Sequence, residues 1–372
     1  MSVFQVKLHT LSPVHIGDGV ELRQGFDFMV RGNATYRLNE DAILLAKESQ
    51  IRPDRFGHYL PPGQLLSETD YQNDGFFRYA LRGAARSGKM DARVKSFIKD
   101  VYDRPYIPGS SIKGALRTAL AWNGWSEMNL KLDRAMIGNN RSWAGQRLER
   151  KIFGADPNHD LLRALHVSDL FGPQDPGGGL MVVNAQVLTK HTAQSPIELE
   201  TLPGDVIFSG SLTIDEVLFT NFAERELSFA NRKDWLDELT LRAQKHSHER
   251  ILLLSDWFGD ADPAYAPLAN FYHQLSEITL PANQALLQIG WGAGWDGKTF
   301  WTHLQKDEFL FEQLVNDFRM NKAGRNSRRE PGDAFPRSRR AAMSVRQGVA
   351  RPAAPFGWVL MEMIKNEEME AK

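Results

Sequence analysis

The chain has 372 residues, 42% of them apolar, and a formal charge of −1. That is enough apolar material for a sizeable core and excludes a disordered chain, while the length suits two domains or one domain with large insertions. The absence of cysteine excludes disulfides, thiolate zinc sites and a cysteine nucleophile together.

The N-terminus, MSVFQVKLHTLSPVHIGDG, lacks a basic start followed by a long apolar run, so no signal peptide is expected. No run of about 18 apolar residues occurs. The expected location is the cytoplasm, with no membrane partner. Residues 3–11 alternate apolar and polar and predict a strand, followed by a turn with Pro13, Gly17 and Gly19. Residues 26–30 and 34–38 predict a hairpin, 41–50 a short helix, 61–75 a loop, and 76–101 a helix weakened by Gly83 and Gly88.

The segment YIPGSSIKGALRTALAW, Tyr106 to Trp122, predicts a strand broken by Pro108 and Gly109 and then a helix capped by Ser110 or Ser111. Ile112, Leu116 and Leu120 give that helix an apolar face. Strands are expected over 164–172, 180–189 and 206–217, and a helix over 222–243. Residues 284–291 predict a strand that runs into the glycine cluster GWGAGWDGKT, 320–355 an irregular loop, and 355–364 a final strand. Two rounds of strands interleaved with helices give an α+β chain with antiparallel sheets covered on one face.

Charge is segregated. Arg319–Arg351 holds ten Lys/Arg against two acids, Arg78–Arg104 eight against three, and Glu198–Asp262 fourteen acids against six Lys/Arg. A near-neutral chain so divided can offer one face to phosphates and another to a basic neighbour, although charge runs are also ordinary solvated surface. Arg328, Arg329, Arg337, Arg339 and Arg340 fall in the expected loop, where the core would not need them.

Several residues could carry chemistry. A helix starting at Gly109 presents free N–H groups to a phosphate, and Lys113 and Arg117, four apart, could clamp the same anion. The alternative is an ordinary capped helix with two solvated cations. Residues 292–299 fit the P-loop pattern literally, with Gly297, Lys298 and Thr299 at its end. Yet only 73 residues follow Thr299, the apolar run ILLLSD at 251–256 lies upstream, and Trp295 sits where a P-loop must fold tightly. Glycines 290, 292 and 294 suit instead a loop that approaches an RNA backbone, with Trp291 or Trp295 stacked on a base and Lys298 at a phosphate. Core tryptophans beside a glycine bulge account for the same pattern. His15, beside Gly17, could be a general base for RNA cleavage, a simple contact, or a hydrogen-bonded turn residue. His246 and His248 are too few for a metal site, so no metal or other cofactor is expected. No paired carboxylates or Ser/His/Asp arrangement can be defended from spacing, and no intrinsic catalysis is expected.

Four segments together resemble a known family: LSPVHIGDG, YIPGSSIKGALRTAL, LLQIGWGAGWDGKT and PFGWV. They are similar to the RAMP proteins of type III-A CRISPR ribonucleoproteins, most nearly to the subunit of the Csm complex that caps the 3′ end of the guide RNA. Residues 125–285 lie outside the resemblance. It implies two ferredoxin-like (RRM-like) RAMP domains with inserted loops, over 1–175 and 176–372, the second carrying the glycine-rich loop and the basic loop 319–351. It implies an RNA-binding role in guide-RNA maturation for antiviral defence. The partners would be the 3′ region of the guide RNA and the adjacent backbone RAMP subunit, with the small helical subunit and host nucleases as further candidates. By position, Gly109, Ser110, Ser111, Lys113 and Arg117 would face RNA or the neighbour, and Gly290, Gly292, Gly294 and Lys298 would form the loop. The rivals are a metal-independent guide-processing endoribonuclease with His15 as base, and the equivalent type III-B subunit.

Overall fold

The computed structural model describes residues 1–85, 92–131, 133–189, 193–298, 300–320, 322–323, 327–333, 335–346 and 349–365. Its centre is a seven-stranded sheet in the order Gln284–Gln288, Trp358–Lys365, Ser2–Thr10, Ile207–Ile214, Leu170–Phe171 and Tyr106–Ile107, with Leu165–Val167 also on Ile207–Ile214. The first strand is central because its register is antiparallel on both sides, His9 opposite Ile207 and also opposite Leu360. Its alternation buries Val6 and Leu8 completely. Onto this sheet packs the helix Gly109–Glu127, whose Ile112, Leu116 and Leu120 are fully buried at the expected four-residue spacing. The helix Leu239–Gly259 lies beside it and shares the same core through Ala243.

A nine-stranded sheet runs Gly17–Arg23, Arg93–Phe97, Ala193–Thr201, Met181–Thr189, Phe77–Arg82, Ala34–Leu38 and Phe28–Arg31, with Ser338–Arg346 paired to Met181–Thr189 and Val349–Pro355 paired outside it. It is mixed rather than antiparallel throughout, since Arg82 and Met181, and Val94–Lys95 and Glu198–Leu199, pair in parallel. Both sheets take strands from either side of position 175.

The expected strands over 3–11, 164–172, 180–189, 206–217, 284–291 and 355–364 are all present within a few residues. Three expectations fail. Residues 76–101 hold two strands, because FRYALR buries Tyr79 and Leu81 at period two. The helix over 222–243 is broken into Asn221–Glu226, Lys233–Asp237 and the start of Leu239–Gly259, and Ser228 sits at φ 50° in the first break. The supposed loop 320–355 supplies two strands of the large sheet. The ILLLSD run lies inside the long helix.

Two core histidines make stability depend on pH. His246 is buried beside Trp122, and desolvation, aided by Arg250 and His303, pushes its pKa down to about 3. Burial also lowers His303, whose Nε2 lies 2.9 Å from the Trp122 carbonyl. Both stay neutral in the fold while the unfolded chain takes up protons below about pH 6.5. Stability is therefore complete above that pH and falls by about 1.4 kcal/mol per histidine for each pH unit below it, until the folded pKa is reached. Urea melts at pH 7.5, 6.5 and 5.5 should show the loss, and His246→Leu should make it shallower. An identical pH slope in that variant would contradict the assignment.

Candidate nucleic-acid interface

The two motif-bearing loops meet. The chain leaves the first strand at Thr10 and is pinned on all sides: Gly357 N–H donates to the Pro13 carbonyl at 2.8 Å, and Val14 exchanges backbone bonds with Leu202 at 3.0 and 2.9 Å. His15 is 2% exposed, with Nδ1 2.7 Å from the Glu200 carbonyl oxygen. Its own carbonyl accepts Trp291 N–H at 2.8 Å, which ties it to the glycine-rich loop. Burial holds the imidazole below its ordinary pKa, so it is neutral near pH 7. Beneath it, the buried Glu200 carboxylate accepts Tyr79 O–H at 2.9 Å, Phe97 N–H at 2.9 Å and Lys99 Nζ at 2.6 Å. Glu200 and Lys99 were not legible as site-building residues, because an acid in an alternating strand normally faces solvent.

In the glycine-rich loop, Gly290, Gly292 and Gly294 have φ of +70°, +95° and +77°, the region that favours glycine. At Gly290 a Cβ would lie 2.4 Å from the His15 carbonyl, and at Gly292 it would lie 2.6 Å from Phe356 Cβ. Trp291 packs edge-on against Phe356 and His15 and carries Arg340 over its face at 4.9 Å. Inside the loop sits the buried carboxylate of Asp296, 3.1 Å from Arg339 and 3.9 Å from Arg250. A P-loop holds phosphate where this loop holds its own acid, and its strand belongs to a parallel sheet, whereas Gln284–Gln288 pairs antiparallel with Trp358–Lys365. Lys298 is exposed, and Thr299 lies outside the described residues.

The start of the helix Gly109–Glu127 differs from expectation. Pro108 is the N-cap, so Ser110 and Ser111 lie within the first turn and neither caps it. Asp169, from a distant loop, accepts Gly109 N–H at 2.8 Å and already fills the place proposed for a phosphate. Gly109 is needed for packing, since a Cβ there would lie 2.2 Å from the Val167 carbonyl. Lys113 Nζ donates to the Leu165 carbonyl at 2.8 Å, and burial lowers its pKa. Arg117 pairs with Asp160 at 2.8 Å and Glu149 at 3.1 Å and lies over Phe153. Both cations thus have partners within the fold and are not the two solvated cations of an ordinary capped helix.

The basic segment divides likewise. Arg329 is buried and forks onto Glu312 at 2.6 and 2.7 Å, and Arg339 is buried against Asp296 and Trp257. The core uses both. Arg337 is half-buried and Arg340 exposed. The side chain of Arg328 lies outside the described residues.

Three neighbouring depressions share lining residues. A cleft of about 450 Å³ lies between His15, Gly17, Lys95, Gly290, Trp291 and Lys298. Lys298 also lines a narrow neck with Arg117 and Phe300. Arg117 in turn lines a second cleft of about 440 Å³ with Lys113, Arg150 and Arg163. Cations line all three, and so do acids: Glu21 the first cleft, Glu149 the neck, and Glu149, Asp156 and Asp160 the second cleft. Among the described residues no cluster of three metal-ligating side chains occurs, and no helix is long and apolar enough to cross a membrane.

The family model of the RAMP superfamily matches residues 7–295, a span that runs from the first strand to Trp295. The chain belongs to the RAMP superfamily. Among curated proteins, this RAMP chain is 30% identical to the "CRISPR system Cms protein Csm5" of Streptococcus thermophilus, over 34% of this chain and 41% of that relative. It is 23% identical to the protein of the same name from Methanocaldococcus jannaschii, over 97% and 89% of the two chains. Among solved structures, it superposes with a TM-score of 0.72 and 21% identity on a chain of a Csm–crRNA–target RNA ternary complex of a type III-A CRISPR-Cas system, covering 96% of this chain and 100% of that one. The crystal structure of T. onnurineus Csm5 gives a TM-score of 0.58 at 21% identity, covering 95% and 99%. These likenesses establish the RAMP fold.

Proposed function

We propose that this RAMP chain is an RNA-binding, non-catalytic subunit of a type III-A CRISPR effector ribonucleoprotein, seated at the guide RNA 3′ end beside a backbone RAMP subunit and needed for guide maturation. The observation that carries the reading is the row of neighbouring depressions that share Lys298 and Arg117 and run past the His15 loop, the glycine-rich loop and the Gly109–Glu127 helix, with Lys95, Lys298, Lys113, Arg150 and Arg163 on their linings. A single strand laid there meets positive charge along its backbone and glycines where the chain must come close. The relatives' common name and the RNA-bound complex among the similar structures support the same reading. Within the seven-stranded sheet, Ser2–Thr10, the helix Gly109–Glu127, Leu170–Phe171, Ile207–Ile214, the helix Leu239–Gly259 and Gln284–Gln288 follow the chain order of a ferredoxin-like unit, with Trp358–Lys365 inserted between its first and last strands, and the nine-stranded sheet would be the platform of the second.

Against catalysis by His15, the residue is only 2% exposed, which closes it to a substrate hydroxyl. Lys298, Arg340 and Lys95, whose ion pair with the exposed Glu21 at 3.3 Å is worth little, are the phosphate contacts that the fold can most readily spare. Replacing all three by Ala should leave the thermal melt unchanged, weaken binding to unrelated single-stranded RNAs alike, and reduce the slope of log affinity against log salt by about 2, at about 0.7 per contact. An unchanged slope and affinity in the folded variant would sink the reading.

A further inference from the structure

Beside the neck, a separate cavity of about 320 Å³ opens between the Gln146–Phe153 and Glu308–Asp317 helices. Its wall is aromatic: Trp295, Phe300, Phe311 and Phe318 line it. The rings are held from behind. Phe335 meets Trp295 edge-on at 5.0 Å and Phe311 at 5.5 Å, so the cavity is a formed space rather than a gap between loose side chains. Two exposed cations, Arg141 and Lys298, lie on its lining, and neither makes an ion pair among the described residues; the lining's one carboxylate, Glu149, is engaged by Arg117 at 3.1 Å. Lys298 lines the first cleft, the neck and this cavity alike.

An aromatic-lined cavity with cations on its lining matches one chemical class, a nucleotide, which joins a π-face to an anionic phosphate. An aliphatic side chain from a protein would fill the cavity but leave both cations without a counter-charge. The volume is at the low end of the roughly 300–1,000 Å³ of ligand pockets, so it admits one ring system and not a length of chain. We infer that the cavity takes a single nucleobase, turned out of the strand in the cleft as it passes Lys298, with the flanking phosphates held by Lys298 and Arg141. The inference rests on the reading of the cleft as an RNA track.

The test uses the full chain and a fluorescent oligoadenylate RNA of about 12 nucleotides, a length within the range of single-strand sites, with one abasic nucleotide walked along it. One position should stand out, its abasic form binding about tenfold or more weakly, as the loss of one stacked base implies. That difference should vanish in Trp295→Ala. It should vanish equally in Ala144→Trp, which plugs the mouth from an exposed position and removes no core packing. A folded pair of variants that keeps the wild-type pattern, or a wild type that treats every abasic position alike while still binding RNA with a steep salt dependence, overturns the pocket and leaves the track standing. Unaltered RNA binding with lost capture of co-expressed complex subunits would mean that the cavity holds a protein side chain, which also overturns it. No salt-dependent RNA binding by the wild type would remove the track itself.

Discussion

Gly290→Val should be among the most destabilising single substitutions in this chain. The position has φ +70°, and its Cβ would lie 2.4 Å from the His15 carbonyl oxygen and 3.1 Å from Ile16 Cγ1. A β-branched residue in that backbone region is strained by about 1–3 kcal/mol before any contact is counted. The carbonyl cannot retreat, because His15 is also held through Glu200, and its neighbours Pro13 and Val14 through Gly357 and Leu202. Moving it would break the Trp291 N–H bond as well, worth about 1 kcal/mol net. The expected total is about 4 kcal/mol or more, in the exceptional tail of point mutants. Gly19→Val is the control: φ is +90° there, but a Cβ meets nothing within 4 Å, so only the backbone strain applies. Urea midpoints for the two variants should separate clearly. Equal midpoints would mean that the junction of the two loops is soft. RNA binding should fail with Gly290→Val at temperatures where its core is still folded, since the junction is one wall of the cleft.

What the sequence disclosed follows from which signals are local. Strong alternation gave the Ser2–Thr10 and Ile207–Ile214 strands, and four-residue spacing gave the Gly109–Glu127 helix. The failures have local causes too. Arg339 and Arg340 made 338–346 look like solvated loop, yet Arg339 is buried because Asp296, 43 residues earlier, neutralises it. Pro352 argued against a strand at 349–355, but that strand pairs on one side only, so the missing donor costs nothing. The helix cap was misread because the acceptor of the first N–H is Asp169, 60 residues away, and no local pattern announces it.

The site shows the same division. The glycine cluster itself stood out in the sequence, and the fold uses all three glycines at positive φ, which only glycine accepts readily. That Lys113 and Arg117 would be taken up by Leu165, Glu149 and Asp160 was not legible, because ion pairing across 32 or more residues is a property of the fold. The aromatic cavity was invisible for the same reason: its walls come from 137–149 and 295–320, one of which lies in the stretch that resembled nothing.

Asp296→Asn should be nearly as damaging as Gly290→Val, by an electrostatic route. Arg250 and Arg339 are each at most 10% exposed and face the Asp296 carboxylate from two sides, with the loop carbonyl of Ala293 3.2 Å from Arg250. The side chains of Trp358 and Trp257 lie against the two guanidinium groups and bring no negative charge. Removing the acid leaves two buried cations uncompensated, and breaking such an arrangement costs about 3–5 kcal/mol. Lost contact and stranded charge make opposite forecasts for the double variant. If the contact matters most, Arg339→Met added to Asp296→Asn should destabilise further or change nothing. If stranded charge matters most, it should recover stability, because a methionine of similar length fills the space between Trp257 and the loop without a charge to desolvate. Arg339 Nε and Nη1 already lack partners among the described residues, so this cation is poorly satisfied even in the native fold and recovery is the expected result. Urea melts of the two single variants and the double variant complete the cycle. A double variant no more stable than Asp296→Asn alone would show that the carboxylate acts by shaping the glycine-rich loop rather than by balancing the two arginines.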